Sequence, residues 1–436
     1  MARYLLAASP LAGHVMPMLA IGAGLRRNGH DVTLLCAPRY QEAGRRRGMT
    51  AVPLPEAARP RPTPRRPTAW NSPKLIGLWR SGRADMRSVF IDPLAAQYGA
   101  LRTALDGRHF DAVVVDVAFT GALPMLISDQ SRPPVAVCGV GPLTLSSIDT
   151  PPFGIGWHPR PGVDYGAMNW FVQHVLFADV QARLNSALRN VGAGRSPVFL
   201  TDWPKLAERV LQLTVPATEY PRSELPSSVV FTGPVPAESV SDVVDPSAWR
   251  TRLQTTRTVV HVTQGTWDNR DHGQLIRPTL EALADRDDVL VVATTGLPDQ
   301  PGFSGAVPRN AWITDYIPYD ELLPHVDVMI TNGGYGGVQQ ALGHGIPLIL
   351  AGRTADKPEI AARIEFIGAG IDLKTDRPSA ATIGDAVRRI LSTDGYRDAA
   401  RKVGSAMAET TPLETIAHTL AQLDTADLAR PLASGS

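Results

Sequence analysis

The sequence predicts an α/β protein built from two doubly wound parallel-sheet domains that face each other across a cleft. Three observations carry this. Short Val/Ile/Leu runs, continuous rather than alternating, recur between longer amphipathic segments, which is the pattern of parallel strands covered on both faces. Ten such runs can be read, more than one ordinary doubly wound sheet holds. A stretch rich in Gly and Pro with no helical period, "FTGPVPAESVSDVVDPSAW", separates the first five runs from the last five.

In chain order, "RYLLAAS", "DVTLLCAP", "AVVVD", "VAVCG" and "VLQLTVP" read as the strands of a first domain over 1–232. A linker is expected over 233–249, and a second domain over 250–412 with "TVVHVTQ", "DVLVVATT", "AWITDYI", "DVMITN" and "PLILAG" as its strands. Residues 413–436 read as an amphipathic helix, "TPLETIAHTLAQLD", returning to the first domain, followed by a disordered tail. Two such Rossmann-like domains bind ligands at the C-terminal ends of their strands, so the cleft is where function belongs.

Composition narrows the function classes. The 436 residues suffice for two cores, and Lys plus Arg (43) balances Asp plus Glu (42), so no global basic field draws in nucleic acid. A hydrophobic share of 44% is ordinary for a globular protein and argues against both disorder and a membrane protein. Cys36 and Cys138 lie in apolar runs and read as core thiols of a cytosolic protein. The N-terminal apolar run is broken at Ser9-Pro10, too early for a signal peptide, which again predicts cytoplasmic residence. Eight arginines between Arg39 and Arg66 face only Glu42 and Glu56; they read as a solvated face in preference to a membrane or acidic-acceptor patch.

The chemistry begins in "LAGHVMPMLAIGAGLRRNGH". Pro17 suits a first helical turn, which places His14 in the loop just before a helix N-terminus. The positive end of that helix disfavours imidazolium, so a neutral His14 able to accept a proton is expected. "FDAVVVDVAFTGALP" supplies Asp116 at the end of another strand, on the same cleft edge, and a His with a carboxylate behind it is how a hydroxyl nucleophile is activated.

Facing this pair, "VDVMITNGGYGG" reads as strand, glycine loop and helix start. Gly333 opens the loop, and the amides of Gly334, Tyr335, Gly336 and Gly337 suit a diphosphate, with Asn332 donating from its side chain. "TVVHVTQGT" builds a second such loop with Thr263, Gly265 and Thr266, and "WITDYIPYDELLPH" offers Tyr316 as a platform for a base and the Ile317 backbone as its partner. A dinucleotide site would want G-x-G-x-x-G after an early strand, and "SPLAGHVMP" holds a single glycine. Two insertions carry aromatics: Trp70 and Trp79 in 55–93, and Phe153 and Trp157 in 148–183. With Phe119 beside Asp116 they suggest a pocket for a flat or greasy acceptor, against the plainer reading of helix packing. "DRDD", Asp285 to Asp288, sits between a helix and a strand and reads as a polar turn, not a metal site.

These features together resemble the GT-B glycosyltransferases of the large family 1, in the actinobacterial natural-product branch. The motifs are "GHVMPMLAIG", the aspartate of "VVVDVAFTGA", "FTGPV", "VTQGT" and "NGGYGGVQQALGHGIPLILAGRTADKPE", spread from residue 11 to 373. The resemblance implies His14 as base, Asp116 as its partner, the glycine loop and Thr266 on the diphosphate, and Asp356 on the donor-sugar hydroxyls. It departs from the commonest pattern at Asn332, Gly337 and Lys357, where a histidine, a Ser or Thr, and a Gln are usual. Asp356 has a structural reading beside this one, as the cap of "DKPEIAARIEF", with Glu359 completing a capping box. The expected partners are a UDP- or dTDP-sugar and a small-molecule acceptor, without metal, cofactor or nucleic acid, on a monomer or homodimer. A cell-wall GlcNAc-type transferase of the same fold and a non-catalytic sugar-nucleotide binder stay open as alternatives; binding alone needs neither His14 nor Asp116.

Overall fold

The structure, a computed structural model, describes residues 1–60, 82–236, 253, 257–265, 271–296 and 302–423. Among the described residues, thirteen strands form two wholly parallel sheets. The first comprises β1 (Arg3–Ala7), β2 (Asp31–Cys36), β3 (Thr50–Pro53), β4 (Ala112–Asp116), β5 (Val135–Gly139), β6 (Arg209–Gln212) and β7 (Val229–Phe231), in the order β3-β2-β1-β4-β5-β6-β7. The second comprises β8 (Thr258–Thr263), β9 (Val289–Thr294), β10 (Ala311–Thr314), β11 (Val328–Thr331), β12 (Leu348–Leu350) and β13 (Gly370–Asp372), ordered β10-β9-β8-β11-β12-β13.

All ten apolar runs are strands. The three strands not anticipated, β3, β7 and β13, are edge strands of three or four residues. The central strands are buried on both faces because helices cover both: β4 reads Ala-Val-Val-Val-Asp with every residue buried. Each sheet therefore has a core on either side, one gathered around Leu5, Val113 and Trp203 and the other around Leu6, Ile21 and Val114 in the first sheet.

Both sheets reverse strand order at their centre, between β1 and β4 and between β8 and β11. At such a switch point the two following loops diverge and leave a crevice. Four helices matter below. These are α1 (Ala12–Arg27) after β1, α2 (Tyr335–Gly343) after β11, α3 (Lys357–Phe366) after β12, and α4 (Pro412–Ala421) near the C-terminal end. Helix α4 lies on α1, with Ile416 and Leu420 entering the first-sheet core and Leu413 against Gly24. Most of the expected linker (from 237) and the expected disordered tail (424–436) lie outside the described residues.

Both cysteines are free and buried, and burial pushes the Cys36 thiol up to about 11. Among the arginines of the basic stretch, Arg45 and Arg46 pair with Glu42 on an exposed helix face. No helix among the described residues is long and apolar enough to cross a membrane.

Candidate active site

Asp116 ends β4 and is fully buried, so its charge must be satisfied by donors. The amides of Ser9 (2.5 Å) and Ala118 (2.9 Å) supply two, and His14 Nδ1 lies 2.6 Å from Oδ1. An ionised carboxylate only accepts, so Nδ1 carries the hydrogen and Nε2 is left with a lone pair for another partner. The His14 side chain keeps 23% of its exposure, enough to be reached from the cleft.

Two expectations about His14 are corrected. It lies inside α1, at the third position of the first turn, because the helix begins at Ala12 and runs through Pro17. The proline only removes a donor that would have bonded the Gly13 carbonyl. Nor does the helix terminus lower the imidazole pKa overall. Burial pulls it down, but the charge and hydrogen bond of Asp116, with Asp356 behind them, lift it above 6.5.

The opposite wall is made of backbone. Gly333 (φ +88°) turns the chain out of β11, Gly334 is the N-cap, and α2 starts at Tyr335. The amides of the first turn have no intrahelical acceptor and point out of the helix start. Gly334 and Gly336 are exposed, as close approach of a ligand requires. The loop after β8 turns at Gly265 (φ +71°), whose amide donates to the Thr263 hydroxyl at 3.3 Å.

Asn332 does something other than expected. Its Nδ2 donates to the Gln264 carbonyl, pinning the two loops together, so this hydrogen bond is not made to a phosphate. Its buried Oδ1 has no hydrogen-bond partner among the described residues and can only accept, which suits a hydroxyl and not a diphosphate. Tyr319, unanticipated, packs beneath the loop with its ring 3.4 Å from where a Gly337 Cβ would stand. It meets His261, whose pKa burial pushes down to about 4, so that imidazole is neutral and structural. Tyr316 is half-buried one residue before the buried Ile317, and Thr266 lies outside the described residues.

Between the walls stands the start of α3. Ala355 adopts φ +54°, an uncommon conformation for a residue with a Cβ, immediately before Asp356. The capping-box expectation fails here: the Asp356 side chain makes no cap bond. One of its oxygens instead lies 3.3 Å from where a Cβ on Gly141 of the first domain would be, and the carboxylate interacts with His14. Burial raises the Asp356 pKa against the pull of His14 and Lys357. Lys357 Nζ donates to Thr354 Oγ1 at 2.9 Å. Glu359, the supposed partner in the capping box, reaches the other domain instead.

The aromatic residues divide. Phe119 is corrected: it is fully buried in the first-sheet core with Leu5 and Leu101, where no acceptor can touch it. Phe153 is half-buried and Trp157 is 53% exposed on the same loop. Trp70 and Trp79 lie outside the described residues. In "DRDD", Asp287 pairs with Arg309 and Asp288 with Arg286, each at 2.6 Å.

Comparison with known proteins follows the same lines. Residues 277–423 match the Erythromycin biosynthesis protein CIII-like, C-terminal domain. The chain is 36% identical over 402 residues to 4'-demethylrebeccamycin synthase of Lentzea aerocolonigenes, covering 91% of this chain and 93% of that protein. It is 34% identical over 418 residues to UDP-glucosyltransferase A1 of Starmerella bombicola, covering 90% and 86%. The structure is similar to that of the kitacinnamycin glycosyltransferase, with TM-score 0.72 over 97% of this chain and 99% of the other; at 18% identity that likeness speaks for the fold alone. Two parallel α/β sheets joined in this order, with relatives this close along most of their length, lead to one conclusion: the chain belongs to the family 1 glycosyltransferases of the GT-B fold, in their natural-product branch.

Proposed function

We propose that the protein transfers a hexose or deoxyhexose, with inversion, from a UDP- or dTDP-sugar to a hydroxyl of a small aromatic or hydrophobic acceptor. The observation that carries this is the meeting of the two walls: His14 Nδ1 lies 2.6 Å from buried Asp116, and Asp356, at the head of the donor-side helix, reaches to 3.3 Å from where a Cβ on Gly141 of the first domain would stand. A base on one wall and a sugar-contacting carboxylate on the other leave the anomeric carbon between them.

In the reaction, His14 Nε2 takes the acceptor O–H proton as that oxygen forms its bond to the anomeric carbon. The bond from that carbon to the diphosphate oxygen breaks on the opposite side, and the electron pair leaves with the nucleoside diphosphate. Amides of Gly334 to Gly337, at the positive end of α2, meet the growing charge. Donors already aimed at the phosphates supply what a metal supplies elsewhere, so the reaction is metal-independent in this reading. Asp116 holds the imidazole in the productive tautomer and stabilises imidazolium once formed. Trp157 and Phe153 give the acceptor an apolar wall. The names of the relatives, a UDP-glucosyltransferase among them, support a nucleotide-sugar donor.

The test is turnover of UDP-glucose and dTDP-glucose with a planar phenol such as quercetin, the product anomer being read by NMR. A β-glucoside from these α-linked donors, lost in His14→Ala, is expected. An α-product, or a His14→Ala enzyme as fast as the parent, overturns the reading.

A further inference from the structure

The loop Phe153–Trp157 belongs to the first domain, yet a side chain of the second domain holds it. Gly154 (φ +102°) and Gly156 (φ +69°) turn two amides the same way, and both donate to Glu359 Oε1 at 2.8 Å. Converging amides of this kind form an anion-binding concavity, and here a carboxylate from α3 fills it. The fit is close: a Cβ on Gly156 would stand 2.8 Å from Pro358.

Glu359 is itself held. Its Oε2 accepts from Arg363 Nη1 at 2.8 Å, and Arg363 Nε donates to Glu219 Oε2 at 2.7 Å. Glu219 returns to the first domain's cleft edge by accepting the Leu143 amide at 2.8 Å. All three charged side chains are 4% exposed or less. The head of this same helix is Asp356, one turn before Glu359.

We infer that Glu359 is a positioning residue for acceptor recognition: the second domain uses it to seat the aromatic loop 153–157 against the helix that presents Asp356. The acceptor pocket is thus composite, built on one domain but held by the other, and donor-side and acceptor-side groups share one support. This inference rests on the proposed role of Trp157 and Phe153 as the acceptor wall.

The test combines amide exchange with kinetics on the full chain. Glu359→Ala is expected to speed exchange in the peptide holding Gly154 and Gly156 by at least about ten-fold, the loss of roughly one good hydrogen bond. KM for quercetin should rise by about ten-fold, while UDP affinity by calorimetry stays within about three-fold, since the misplaced loop lies away from the α2 amides proposed to hold the diphosphate. Glu359→Gln, which keeps one acceptor oxygen, should recover much of both effects. Trp157→Ala, at an exposed site that leaves folding intact, should raise KM for quercetin without changing exchange. Unchanged exchange in Glu359→Ala overturns the clamp, and an unchanged KM in both alanine variants overturns its role in recognition. A parent enzyme inert toward quercetin with either donor counts against the proposed acceptor chemistry, and the exchange arm then decides the clamp alone.

Discussion

The two walls of the cleft are built from different materials. On the first, the proposed chemistry rests on side chains: His14 and Asp116, held 2.6 Å apart, with titration and tautomer deciding what they can do. On the second it rests, in the same proposal, on the main chain, where glycines bare the amides at the start of α2 and the neighbouring side chains, Asn332 and Tyr319, brace loops. A side-chain site can be switched off by one substitution and tuned by pH. A backbone site resists both, because every residue type except proline carries the same amide. Rate and donor affinity should therefore separate cleanly between the walls.

The sharpest way to break this contrast is His14→Ala. Turnover should fall by about 10²–10⁴, the usual worth of a general base, while calorimetry finds UDP or dTDP affinity nearly unchanged. A loss of nucleotide affinity as large as the loss of rate would mean that the walls are not independent.

A second effect is in the pH profile. Because the neighbouring carboxylates lift His14 above 6.5, the imidazole stays protonated, and useless as a base, to a higher pH than a free histidine would. kcat/KM should rise with pH through a value above 6.5. The same shift stabilises the fold fully below 6.5 and is lost as pH climbs through the folded-state value. Asp116→Asn should move the kinetic midpoint down and, by leaving buried donors mismatched, cost about 1–3 kcal/mol of stability in urea melts. A midpoint that does not move would remove Asp116 as the cause.

On the backbone wall, Asn332→Asp should weaken nucleoside diphosphate binding by roughly ten-fold, the worth of about 1.4 kcal/mol. It sets a carboxylate against the Gln264 carbonyl that the amide now binds. Asn332→Ala should lose less, and affinity of the parent protein should change little between pH 6 and 8. An aspartate variant that binds as well as the parent would show that the two loops need no pin. The smallest expected effect is none: turnover should survive millimolar EDTA, since Asp287 and Asp288 are already engaged by Arg309 and Arg286. Activity lost to chelator and restored by magnesium would replace helix amides with a metal as the counter-charge.

What could be read from the sequence was what local pattern encodes. Continuous apolar runs marked the strands from β1 to β12 that lie inside the sheets, and strand-end placement brought His14 and Asp116 together across 102 residues of sequence. What escaped depends on distant partners. "DKPE" has the shape of a capping box, but Glu359 bonds amides about 200 residues away, and nothing local distinguishes the two uses. The same holds for Glu219 with Arg363, separated by 144 residues. Phe119 next to Asp116 suggested the cleft. Past the strand end, though, the chain turns back into the core, and a neighbour in sequence became a neighbour of Leu101.

Helix α4 has a consequence for how the molecule is made. Its Leu413, Ile416 and Leu420 cover the outer face of α1, which precedes it in the chain by the rest of the first domain and the whole second domain. Between the end of β7 and Pro412 lies the whole second domain, which at about 5–20 residues per second takes roughly 10–40 s to synthesise. During that interval α1 lacks the apolar cover that α4, translated after the second domain, supplies to it. The first domain is thus completed by a helix that the chain makes only after the second.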